Sequence, residues 1–139
     1  MKTTYDTSRR RLLICAGGGL LITTVAAYPI RAAATIDIVM SGSATGSHVW
    51  FRPQQIQVQP GQTVRWTNQD AGNVHTVTAY HPINGKRLGI PETAKPWNSG
   101  YLMPNESFVM TFDVPGEYNY FCIPHERAGM VGRIVVGDY

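Results

Sequence analysis

Two Pro-Gly pairs, Pro60-Gly61 and Pro115-Gly116, stand between runs in which apolar and polar residues alternate. Proline presets the backbone angle of the first corner of a turn and glycine accepts the positive angle of the second, so each pair reverses the chain at a defined point. Alternation with a period of two sends one face of a strand into a core and the other into water. Residues 63–68 place Val64 and Trp66 on one face, and residues 107–112 do the same with Phe108, Met110 and Phe112. Further strands are expected at 35–40, 75–80, 117–122 and 132–136. Residues 48–51 and 55–59 read as one strand bent at Pro53, with Ile56 and Val58 inward and the glutamines outward. Residues 81–105 hold four prolines and three glycines, which predicts an extended connection with at most short regular pieces. No stretch has the length and apolar face of a buried amphipathic helix. Seven to eight short strands joined by tight turns predict an all-β, Greek-key β-sandwich.

At 139 residues, 43% of them hydrophobic, the chain suffices for one such domain. Its net charge of +3 is unevenly spread. Lys2, Arg9, Arg10, Arg11 and Arg31 precede residue 35 with only Asp6 against them, whereas residues 35–139 carry seven scattered bases and eight acids, a net charge of −1. No cluster of bases is present to neutralise a run of phosphates, so a nucleic-acid partner is excluded.

Residues 1–34 read as an export signal. Arg9, Arg10 and Arg11 lead into the apolar stretch 12–28, and Ala32, Ala33 and Ala34 supply the small side chains of a cleavage site. The basic start resembles a bacterial twin-arginine signal, which predicts a periplasmic location. Cleavage is expected after Ala34, leaving a monomer with no stable membrane insertion; the alternative is retention of the segment as an anchor. Cys15 has a poor context for lipidation.

Residues 35–139 then contain a single cysteine, Cys122, so no internal disulfide can form. It opens the string Cys122-Ile123-Pro124-His125-Glu126-Arg127-Ala128-Gly129-Met130, in which thiolate, imidazole and thioether stand at i, i+3 and i+8. A loop between the end of one strand and the start of the last can fold these groups around one point. His75, after a polar loop and at the start of another strand, can reach the same end of the sandwich. A thiolate, two imidazoles and a weak thioether are the donors of a type 1 copper centre. Taken singly, each residue has an ordinary structural explanation; together, at this spacing and in this strand context, they point to a metal. His48 and His81 are expected to lie outside the centre.

With these residues in place, the chain from 35 onward resembles the cupredoxin, or type 1 blue-copper, family, in particular its plastocyanin and pseudoazurin group. The likeness is sharpest over 68–75 and 118–136. The two-residue gap between Cys122 and His125 and the four-residue gap between His125 and Met130 fit that group, whereas azurins space their ligands differently. The resemblance implies that His75, Cys122, His125 and Met130 hold one copper, that the copper shuttles single electrons, and that His125 is the port through which they pass. Three features depart from the family pattern. Thr76 stands where asparagine often follows the first histidine and ties two loops together; residues 81–105 are longer than in the simplest members; and Glu126-Arg127 put charge within the ligand loop. Trp97, Tyr101 and Leu102 of the long connection are candidates to cover one sheet or shape a docking surface.

The expected function is one-electron transfer, with a cytochrome or a copper enzyme as redox partner. Catalysis is disfavoured because four protein ligands leave no open position for substrate, and a dinuclear centre because it needs two bridging thiolates. A copper-binding module for delivery or storage is the alternative, followed by a metal-free adhesive or structural sandwich.

Overall fold

The computed structural model describes residues 34–43, 45–80 and 89–138. The expected export segment, apart from Ala34, and His81 lie outside the described residues.

Nine strands are present among the described residues: β1 (Ile36–Gly42), β2 (Val49–Arg52), β3 (Gln55–Val58), β4 (Gln62–Asn68), β5 (Thr78–Ala79), β6 (Trp97–Asn98), β7 (Ser107–Phe112), β8 (Gly116–Phe121) and β9 (Val131–Val136). They form one sheet in the order β2-β1-β4-β7 and another in the order β3-β9-β8-β5-β6. Pairing is antiparallel except between β1 and β4 and between β3 and β9. This is the expected all-β Greek-key sandwich.

The Pro60-Gly61 turn behaves as its residues require. Gly61 has φ +84°, and the Gln62 amide donates to the Gln59 carbonyl at 3.0 Å. The following strand, β4, buries Val64, Trp66 and Asn68 and exposes Arg65. Trp66 anchors the space between the sheets, its ring tilted against Phe112 and edge-on to Tyr120. Ile38, Met40, Phe51 and Phe112 meet Val58, Tyr118, Ile134 and Val136 in the same core. Removing each such side chain from water stabilises the fold by about 1.5–3 kcal/mol.

Two expectations about strands are corrected. Residues 48–59 are not one bent strand: β2 pairs with β1, while β3 pairs in parallel with β9 of the other sheet. Pro53 has no N–H to extend the β2 ladder, and the chain crosses between sheets there. On the far side the Arg133 amide donates to the Gln54 carbonyl at 2.9 Å. The expected strand over 75–80 is reduced to a bridge between His75 and Leu102 and the two residues of β5. All of 75–79 is buried, so alternation is lost. The connection that follows supplies β6 and runs beside this segment: Ser99 exchanges hydrogen bonds with Val77, and Trp97 lies edge-on to Phe112 of the core. Leu102 is buried in the core and Trp97 packs against it, whereas Tyr101 stays 65% exposed.

Candidate metal centre

The ligand loop begins where β8 stops. Cys122 precedes a 3-10 turn, Ile123–Ala128, which Pro124 opens and Gly129 ends at φ +81°. The His125 amide donates to the Cys122 carbonyl at 3.1 Å, an i to i+3 bond that curls the two side chains to one side. The Met130 amide donates to His125 at 3.2 Å, and Met130 in turn accepts from the Cys122 amide at 3.0 Å. The loop is therefore tied across its base by its own backbone, just before β9 pairs with β8.

His75 arrives on a second loop built around two buried polar residues. Asn68, at the end of β4, accepts from the Asp70 amide and donates to the carbonyls of Asn73 and Leu102. Asp70 accepts from the Gly72 and Asn73 amides through Oδ1. Through Oδ2 it accepts from the Asn73 side chain at 2.9 Å and from His75 Nε2 at 3.2 Å. The carboxylate therefore holds the imidazole proton on Nε2 and leaves the Nδ1 lone pair facing inward.

These two loops bring His75, Cys122 and His125 together. Their ligand atoms all lie within 4.8 Å of one another. Cys122 Sγ is 3.6 Å from His75 Nδ1 and 3.5 Å from His125 Nδ1. His75, Cys122 and Met130 are fully buried, and His125 is half-buried. His48 does not join them: it is exposed and packs edge-on against Trp50.

Burial pushes the Cys122 thiol up, against the backbone N–H of Thr76, a backbone hydrogen bond from His125 and the Thr76 hydroxyl, which pull it down. Burial pushes the His75 imidazole down; its hydrogen bond to Asp70 opposes this and the neighbouring His125 reinforces it. Burial alone would raise Asp70, but hydrogen bonds from Gly72, Asn73 and His75 hold its carboxyl below the usual range. The chain thus presents one soft sulfur and two imidazoles whose ligand atoms converge on one point. That donor set fits copper, whose binding displaces the thiol proton.

The family profile described as copper binding proteins, plastocyanin/azurin family, matches residues 38–137. The chain belongs to this family. Its donor cluster is accordingly a mononuclear His-Cys-His copper site of the type 1 kind. A chloroplastic plastocyanin from Tetradesmus obliquus is 34% identical over 112 residues, which span 81% of this chain and 74% of that protein. A putative pseudoazurin from Rhizobium leguminosarum bv. viciae is 32% identical over 106 residues, covering 76% and 62% of the two chains. Among solved structures, a pseudoazurin from Sinorhizobium meliltoi superposes with a TM-score of 0.59 at 32% identity, over 75% of this chain and 74% of that one. The resemblance to the plastocyanin and pseudoazurin group is borne out.

Two features bear on how this cupredoxin differs from the family pattern. Thr76 takes over the tie between loops: its hydroxyl accepts from the Ile123 amide at 2.8 Å, and its own amide donates to Cys122 Sγ at 3.3 Å. The Thr78 hydroxyl backs it at 3.1 Å. Asn68 and Asp70 were not among the expected site residues. Their signal was the spacing Asn68-x-Asp70-x-Gly72 ahead of His75, a pattern of side chains that cap their own turns.

Proposed function

We propose that the chain is an exported, periplasmic one-electron carrier in which His75, Cys122 and His125 would hold the copper and Met130 would add a weak thioether donor. The observation that carries this reading is the buried, backbone-tied convergence of a thiol and two imidazoles at one end of the sandwich. Copper held there would supply a one-electron Cu(I)/Cu(II) couple. The protein's contribution is to fix the donors, exclude water and keep His75 in its binding tautomer, so that little must move when the charge changes. Met130 supports its role by position: it is fully buried and closes the base of the ligand loop.

His125, less buried than His75, is the port for the electron. Around it Pro124, Ala128 and Gly129 are exposed, Ile123 is 41% exposed, and Glu126 and Arg127 adjoin them. A small apolar patch with charges beside it suits a short-lived contact with a redox protein such as a cytochrome or a copper enzyme. The protein acts as a monomer and without catalytic turnover. Deep burial of His75, Cys122 and Met130 favours a carrier over a delivery module, which must release its metal readily. Among the described residues no helix is long and apolar enough to cross a membrane.

The test is copper titration of the purified chain, followed by visible and paramagnetic spectroscopy and metal analysis. One copper per chain with intense visible absorption, lost in Cys122→Ser, is the expected result. A blue spectrum surviving in Cys122→Ser refutes the assignment, and rapid handover of copper to another apoprotein in place of electron exchange refutes the carrier role.

A further inference from the structure

We propose that Asp70 is a positioning residue whose buried negative charge biases the copper site toward its oxidised state. The inference rests on the copper-carrier reading above and adds a residue that touches no metal. Asp70 is 3% exposed, and its Oδ2 lies 3.2 Å from His75 Nε2, on the opposite edge of the ring from the nitrogen that faces Cys122. The charge therefore sits one imidazole's width behind a ligand atom, in a place that water does not screen.

The surrounding structure is built to keep a carboxylate at this point. Four N–H groups aim at it: the amides of Gly72 and Asn73 on Oδ1, and Asn73 Nδ2 and His75 Nε2 on Oδ2. All four donors belong to formally neutral groups, so they satisfy the oxygens without cancelling the charge. From the other side, β1 leaves space for it. A methyl group at Gly42 would come within 2.8 Å of Asp70 Oδ2 and 2.6 Å of Val49 Cγ1. An ordinary side chain at that position would displace the carboxylate from the histidine.

Two effects follow from this placement. A carboxylate accepting from Nε2–H raises the basicity of the far nitrogen and fixes the ring's orientation. A fixed negative charge also favours the metal state with the higher positive charge, which lowers the reduction potential. Asparagine has nearly the same shape but one oxygen in place of two. It cannot accept from all four donors, and it carries no charge.

The experiment compares the copper-loaded parent with Asp70→Asn by visible spectroscopy and voltammetry. In the copper(I) protein, the same comparison follows the His75 Nε2–H by proton–nitrogen NMR. The expected result is a retained thiolate-to-copper band, with the Cu(I) to Cu(II) ratio at fixed potential rising at least tenfold. That shift corresponds to about +59 mV for a one-electron couple. In the parent, the His75 Nε2–H should be shifted downfield and protected from exchange. An unchanged potential on an intact spectrum overturns the proposal. If Asp70→Asn does not fold, the parent decides: a His75 Nε2–H that exchanges as fast as an exposed imidazole overturns it, and a protected downfield one upholds it. A parent that takes up no copper refutes the carrier reading instead, so the two failures are distinct.

Discussion

Thr76→Val exchanges one hydroxyl for a methyl group at nearly constant volume, in a residue only 1% exposed. The Ile123 amide then loses the acceptor it holds at 2.8 Å. The Thr78 hydroxyl does not become an orphan, because it also reaches Asn98 Oδ1 at 3.2 Å. One donor stranded in a partly buried place costs about 1–3 kcal/mol. The added methyl recovers up to about 0.8 kcal/mol by burial. With the full recovery the net expectation is a loss of about 0.2–2 kcal/mol, or roughly 1–10 °C in Tm for a domain of this size. Thermal unfolding followed by circular dichroism measures the total, and hydrogen exchange at the Ile123 amide locates it. Exchange there should speed up in Thr76→Val and stay slow in Thr76→Ser, which keeps the oxygen. A valine variant with the parent's Tm and a protected Ile123 amide would refute the claim that this hydroxyl ties the two ligand loops.

Three further outcomes are expected. A Cβ at Gly132 would run into Cζ, Oη and Cε2 of the fully buried Tyr120, so Gly132→Ala should destabilise by about 1–3 kcal/mol or more; an unaltered denaturation midpoint would show that the ring has room to move. Met130→Leu should leave the fold intact and copper bound while raising the reduction potential, since losing an axial donor disfavours the oxidised metal; voltammetry showing no change would place Met130 outside the ligand set. Replacing Arg9 and Arg10 with lysines should leave precursor inside the cell on fractionation, and normal periplasmic accumulation would exclude the twin-arginine route.

Strands β4 and β7 were legible because each buries one face and wets the other, so their residues alternate, and a Pro-Gly turn fixes where β4 begins. The separation of β2 from β3 was not legible. Proline at 53 announces a break, but the identity of the sheet that each half joins depends on strands far along the chain. Residues 75–79 defeated the pattern because all five are buried and a later segment pairs alongside them. At the metal centre, Cys122, His125 and His75 could be read directly, since sulfur and imidazole at those intervals have little else to do together. Asp70 could not be singled out in the same way. Its part depends on a turn that carries it back beneath His75, and an aspartate in a polar loop is ordinarily solvated.

The order of the sheets leaves β7 at an outer margin, six residues long, where β2 and β3 at other margins have four each and β6 has two. Its outward side chains are Ser107, Val109 and Thr111, all exposed and none charged. Among the described residues it is the longest strand at a sheet margin, the place where a second molecule can add a strand sideways. Acidic residues flank it at both ends, Glu106 before and Asp113 after, and both are exposed. Two copies paired head to tail along β7 would set the glutamate of one beside the aspartate of the other. Like charges brought side by side in this way would work against self-association along the strand.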